Sequence, residues 1–342
     1  MIYLFAGKGW ELQVTGFRLP PYTLYLTPYT LYLIPYTLYP TPYTLFKPHA
    51  MLSRRSLLKK SLLLSSLMHT GVFKTLKAAS SAMGSSFKIG ACDWSLGKGS
   101  NIEAFDVAKA VGVDGIMVDM GSAENGFHIR QPEMQNAYKK ASAASGIAIS
   151  SLAMGLFNRV PFHENEHTVE WIKDTVMTAK ELDVKVVLLA FFNASDLRND
   201  NARKAIAVKH LSAVMPVAEA AGITLGIESY LNAAEHLDIM RKVGSKNLKV
   251  YYDFRNTADA GHDTVKEFIK LGPDNICELH MKENGYLLDQ GTVNWTDVAK
   301  AVYDTGYRGN NWMQIEGALP KGADIVESYR HNLAYLRKLF YR

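Results

Sequence analysis

The sequence predicts a single-domain α/β protein of the (β/α)8, or TIM, barrel class. Three observations carry that expectation. From residue 87 onward, short apolar β-branched runs alternate with amphipathic stretches of period near 3.6. Eight such units fill about 260 residues, the count and length of this barrel. Glycine or a turn residue introduces several runs, as in Val111-Gly112-Val113-Asp114-Gly115, Ser145-Gly146, Ala221-Gly222, Gly272-Pro273-Asp274-Asn275 and Gly306-Tyr307. Glycine just past a periodic stretch is the usual helix stop.

The strands are predicted at 87–92, 115–118, 147–153, 184–191, 223–227, 248–252, 276–280 and 312–315. Apolar runs of that length, bounded by turn residues, are what a strand buried on both faces requires. The helices are predicted at 101–111, 131–145, 165–182, 201–221, 232–243, 262–271, 295–305 and 324–340. A doubly wound open sheet is the alternative. It usually has fewer strands and a glycine-rich phosphate loop after the first. Here that strand is followed by Gly97-Lys98-Gly99-Ser100, which lacks the G-x-G-x-x-G spacing and reads as a loop into the first helix. No linker composition appears after residue 87, so residues 83–342 read as one barrel domain.

Two segments precede it. Residues 1–50 read as a low-complexity stretch outside any domain, with a seven-residue unit, Pro21-Tyr22-Thr23-Leu24-Tyr25-Leu26-Thr27, restarting at Pro28, Pro35 and, degenerately, Pro42. Prolines at that spacing break any helix, and the period is far too short for a solenoid. Met51 is a candidate internal start. Residues 51–82 read as a signal segment. Ser53-Arg54-Arg55-Ser56-Leu57-Leu58-Lys59 resembles a twin-arginine export motif, an apolar run spans 61–73, and small residues follow at Ala78-Ala79-Ser80-Ser81-Ala82. The expectation is export to the periplasm, with the twin-arginine machinery as partner. A basic amphipathic helix on a cytoplasmic enzyme is the alternative.

The net charge of +5 belongs to this leader. Residues 1–82 hold nine Lys/Arg and one Glu, leaving 29 basic and 32 acidic residues, a net of −3, in the body. Nothing in that balance favours nucleic acid as a partner. The two cysteines, Cys92 and Cys277, fall in the first and seventh strands, which are not neighbours, and read as buried thiols.

The chemistry is concentrated at four successive strand ends. Gly226-Ile227-Glu228-Ser229, Tyr252-Asp253-Phe254-Arg255-Asn256, Glu278-Leu279-His280-Met281-Lys282 and Gln314-Ile315-Glu316-Gly317 each offer a metal-binding group. In a barrel, the C-terminal strand ends converge on one face. Glu228, Asp253, His280 and Glu316 would meet there as three oxygens and one nitrogen. That set suits one divalent cation, Mn²⁺ first and Mg²⁺, Co²⁺ or Zn²⁺ as alternatives, and not a thiophilic metal.

These motifs, with His280-Met281-Lys282-Glu283, resemble the xylose isomerase-like barrel superfamily, the sugar phosphate isomerase/epimerase group, over residues 87–340. The resemblance implies that Glu228, Asp253, His280 and Glu316 bind one divalent ion, and that Glu228 and Glu316 also serve as the acid/base pair. It implies a ketose isomerase or epimerase acting through an enediolate on a small sugar or polyol. A dehydratase of a keto-inositol and a non-enzymatic carbohydrate-binding barrel are the alternatives. A nuclease on this scaffold needs further histidines and a basic face that the body lacks. Asn256, three residues past Asp253, is a candidate substrate contact. So are Trp94, Lys282, Arg255 and His262. Asp119, at the end of the second strand, is expected to orient Lys282 or an arginine. Phe157, Phe192 and Tyr230 read as core or rim, and His163 and His167 as solvated residues of a lid after the third strand. A homo-oligomer is compatible with the sequence.

Overall fold

The computed structural model describes residues 87–341. The leader readings at 1–50 and 51–82 lie outside the described residues. Eight parallel strands close in sequence order into a barrel. They are β1 (Lys88–Cys92), β2 (Gly115–Asp119), β3 (Ala148–Met154), β4 (Val186–Phe191), β5 (Thr224–Ser229), β6 (Leu248–Asp253), β7 (Ile276–Lys282) and β8 (Trp312–Glu316). The outer helices are α1 (Ala104–Val111), α2 (Pro132–Ser145), α3 (Thr168–Glu181), α4 (Asn201–Ala221), α5 (Ala233–Val243), α6 (Phe254–Asp259), α7 (Thr264–Leu271), α8 (Trp295–Asp304) and α9 (Ile325–Phe340). Among the described residues no helix is long and apolar enough to cross a membrane.

The strand periodicity explains the two layers of the core. On β4, Val187, Leu189 and Phe191 point out into the helix layer, while Val186, Leu188 and Ala190 point into the barrel with Cys92, Met117, Ala153 and Tyr251. Period-two alternation over a strand buried on both faces gives the unbroken apolar run seen in the sequence. The two cysteines are free and buried. β1 pairs with β2 and β8, so Cys92 and Cys277 lie on strands that are not adjacent.

Two local features position the site. β6 and β7 slip by one residue: Val250 faces Ile276 but Tyr251 faces Glu278, leaving Cys277 as the extra residue of a bulge. Glu278, His280 and Lys282 then occupy alternate positions on one face of β7. The second feature is the short helix α6 that follows β6 directly. Its six residues are too few to show a helical period. Asp253 caps it, accepting the Asn256 backbone N–H at 2.8 Å. The helix expected at 262–271 accordingly begins only at Thr264, after Gly261 at φ 83°.

Candidate metal centre and cavity

Glu228, Asp253, His280 and Glu316 sit at the C-terminal ends of β5 to β8. Asp253 is in register with His280, and Lys282 with Glu316. One ligand atom from each of the four lies within 4.8 Å of the others. His280 Nδ1 is the hub, 2.9 Å from Glu228 Oε1, 3.3 Å from Glu316 Oε2 and 3.8 Å from Asp253 Oδ2. Its other ring nitrogen, Nε2, faces the Cys92 thiol at 3.5 Å. Trp94 Nε1 donates to Glu316 Oε1 at 3.0 Å, fixing that carboxylate from β1.

Electrostatics show what the cluster needs. Asp253 Oδ2 and Glu316 Oε2 are buried with no hydrogen-bond partner. Lys282 Nζ forms an ion pair with that Glu316 oxygen at 2.9 Å. Burial pushes the Asp253 carboxyl up, opposed by Lys282 and reinforced by Glu228 and Glu316. Burial also pushes Glu316 up, but Lys282 and His280 outweigh it and hold the group below its ordinary value. Burial lowers His280, yet Glu228 and Glu316 raise it to about 9. Three converging carboxylates thus draw positive charge from every basic group in reach. Three carboxylates and a hub nitrogen converging on one point fit a divalent cation, with Nδ1 as the histidine donor.

The centre forms the floor of a cavity of about 450 Å³. Trp94, Lys282, Glu228 and Glu316 line it on one side, and Ser100, Asp119, Asn158, Arg159, Leu188 and Phe192 on the other. Phe192 stands on the rim edge-on to Tyr230, and Phe157 belongs to the core.

Five expectations need correction. Asn256 is 3% exposed and does not line the cavity. Its Nδ2 donates to Glu228 Oε1 at 3.1 Å, so α6 tucks it behind the glutamate. Arg255 is not free for an anion: it pairs with Asp259 and with the buried Glu283, each at 2.8 Å. His262 lies in the turn between α6 and α7, away from the cavity lining. Asp119 does not orient Lys282, whose partners are Glu316 and Asp253. It accepts instead from Gly121 N, Ser100 Oγ and Gly155 N. His163 also departs from expectation, its side chain being only 6% exposed, whereas His167 is 54% exposed.

Other functional groups escaped the sequence reading. Arg159 carried no motif. Glu278 was visible two residues before His280 and belongs to a buried layer under the centre, accepting from Tyr251 Oη at 2.8 Å and Asn310 Nδ2 at 2.9 Å.

The family described as xylose isomerase-like TIM barrel matches residues 105–339. A 2-epi-5-epi-valiolone 7-phosphate 2-epimerase of Actinoplanes sp. is 26% identical over 199 residues, 57% of this chain and 72% of that protein. A D-psicose 3-epimerase of Enterocloster bolteae is 26% identical over 124 residues, 34% of this chain and 40% of that protein. Among solved structures, a D-psicose 3-epimerase crystallised in the presence of D-fructose superposes with a TM-score of 0.62 at 18% identity, covering 74% of this chain and 99% of that one. An L-ribulose 3-epimerase gives 0.62 at 17%, covering 75% and 95%. At those identities the structural likeness shows the fold.

Proposed function

The chain belongs to the xylose isomerase-like TIM barrel family, and from that premise we propose that it is a divalent-metal-dependent ketose epimerase or isomerase. One observation carries the reading: three carboxylates and an imidazole converge at the cavity floor, with one ligand atom of each within 4.8 Å of the others. Sugar epimerases among its relatives support it.

Glu228, Asp253, His280 and Glu316 would hold the ion, and Mn²⁺ is the proposed occupant. When bound, it supplies Lewis-acid stabilisation of the charge that develops on a ketone oxygen, which acidifies the neighbouring C–H. The chain's residues do the rest. Glu228 and Glu316 both line the cavity, on strands separated by β6 and β7, so they reach a substrate from two sides. One takes the proton next to the carbonyl. The other returns one to the opposite face, inverting the carbon, or to the adjacent carbon, isomerising the sugar. Asn256 and Trp94 orient the two carboxylates. Lys282, its side chain 16% exposed beside Glu316, donates to a substrate oxygen.

The test is incubation of the Mn²⁺-loaded protein with ketoses and inososes in D₂O. Carbon-bound deuterium in an isomerised product is expected, and Glu228→Gln and Glu316→Gln should abolish it. Water loss from an inosose without exchange into a ketose indicates a lyase. No exchange with any sugar refutes the proton-transfer reading. We also propose twin-arginine export from the sequence at 51–82; cell fractionation showing the protein only in the cytoplasm would refute that.

A further inference from the structure

We infer that Cys92 is a positioning residue of the metal centre: its thiol holds the far nitrogen of His280, so that Nδ1 points at the three carboxylates. This rests on the metal-dependent reading above and adds the support of its histidine ligand.

Each carboxylate of the centre has a donor that holds it. Asn256 Nδ2 donates to Glu228, the Asn256 backbone N–H to Asp253, and Trp94 Nε1 to Glu316. For His280 the corresponding partner comes from β1. Among the described residues, Nε2 has the Cys92 sulfur as its hydrogen-bonding neighbour, at 3.5 Å. Both side chains are fully buried. Cys92 closes β1 and Trp94 follows two residues later, so one strand end braces ligands on β7 and β8. The Tyr251 ring packs against the imidazole at 4.6 Å, and its hydroxyl is tied to Glu278 at 2.8 Å. Such packing confines the ring but does not choose its orientation. Half a turn about Cβ–Cγ exchanges each nitrogen for a carbon and leaves the shape almost unchanged, so polar contacts at the nitrogens decide. Cys92 is the contact on the side away from the carboxylates.

Sulfur suits this place because a thiol both donates and accepts. It can give S–H to a bare Nε2 or receive a bond from Nε2–H. The contact therefore holds whichever ring nitrogen carries the proton, and the orientation does not depend on that choice. Cys92 is not itself one of the converging ligands: its sulfur meets the ring at Nε2 and is not among the atoms gathered within 4.8 Å. Histidine ligands generally give their far nitrogen to a carboxylate, a backbone carbonyl or water, and losing that partner lowers metal affinity by about 10- to 100-fold. A thiol is a weaker partner than those, which places Cys92 at the low end of that range.

The test is Mn²⁺ titration of wild type, Cys92→Ser, Cys92→Val and Cys92→Ala, with the unfolding temperature of each metal-free protein recorded. Serine keeps a polar partner and loses volume; valine keeps the volume and loses the partner. Cys92→Ser should bind Mn²⁺ within about threefold of wild type, and the valine and alanine variants about tenfold more weakly. Valine binding like wild type, with serine as weak as alanine, means packing alone and overturns the inference. Equal affinities in all four proteins overturn it too. Where valine lowers the metal-free unfolding temperature, the serine and alanine variants decide, and equal affinities in those two overturn it. Co²⁺ gives a spectroscopic reading: no strong near-ultraviolet thiolate-to-cobalt band is expected in wild type, and one that vanishes in Cys92→Ser would make Cys92 a ligand instead. The expected order of affinities without turnover of any sugar leaves the inference standing and sinks proton transfer. A wild-type protein that binds no divalent ion overturns both.

Discussion

Replacing Asn256 by alanine separates a residue that positions the metal centre from one that touches substrate. The structure places Nδ2 3.1 Å from Glu228 Oε1, with the side chain buried behind the glutamate. The backbone N–H of the same residue donates to the capping Asp253 carboxylate and survives the substitution. The variant thus deletes one hydrogen bond to a charged ligand and leaves the helix cap intact. Such bonds contribute about 1.5–3 kcal/mol, or roughly 10- to 150-fold in an equilibrium constant at about 1.4 kcal/mol per decade. Loss of an outer partner of a metal ligand has an effect of the same order, about 10- to 100-fold in affinity. The assay is Mn²⁺ titration of apo wild type and Asn256→Ala, followed by ketose kinetics at saturating metal. We expect weaker metal binding by one to two decades, with most activity restored at saturation. Metal affinity within twofold of wild type, combined with a raised KM, would make Asn256 a substrate contact and refute the reasoning.

Metal addition should itself stabilise the protein: at about 100 times Kd the gain is about 2.7 kcal/mol, or roughly 5–10 °C in unfolding temperature for a domain of this size, and Asp253→Asn should erase it. An unchanged melting curve over a full Mn²⁺ titration would argue against a site at these four residues. His236 is buried, with Ser229 Oγ and the Asn232 carbonyl at its two ring nitrogens, and burial pushes its pKa down to about 4. The folded state therefore prefers the neutral ring; the associated stability is full above the unfolded value near 6.5 and is lost as pH falls through about 4. The loss amounts to about 3 kcal/mol, so urea midpoints should fall between pH 7 and pH 4.5 more steeply in wild type than in His236→Gln; equal slopes would contradict it. A Cβ at Gly291 would come within 2.4 Å of both carboxylate oxygens of the buried Glu283. Gly291→Ala should therefore cost about 1–3 kcal/mol of overpacking and loosen the Arg255 pair, and an unfolding midpoint equal to wild type would show that the loop yields freely.

The sequence announced the barrel because strands buried on both faces leave unbroken apolar runs, while each helix carries its own period and stop. It also showed which four side chains meet, because successive strand ends of a closed parallel barrel share one rim. What it hid depends on local turns and on closure. Asn256 and Arg255 follow Asp253 directly, so they look like rim residues. The one-and-a-half-turn helix α6 rotates them behind the rim, one toward Glu228 and the other toward Glu283. Arg159 and Asp119 are 40 positions apart and belong to no motif; only the curvature of β2 and β3 around the cavity sets them in one wall.

The placement of these groups divides the chain in two. All four metal-centre residues come from the second half of the barrel, β5 to β8, while the opposite wall comes from the strand ends of β2 to β4 and the loops after β1 to β4. From the first half, Trp94 bonds the centre through Glu316, and the Cys92 thiol meets His280 Nε2. Under the proposed function, a lineage can rewrite the first four loops and change which sugar is admitted while the reacting arc stays untouched. Trp94 is the place where such recombination would have to keep its stitch, since a foreign β1 loop without an indole donor would leave Glu316 unsupported.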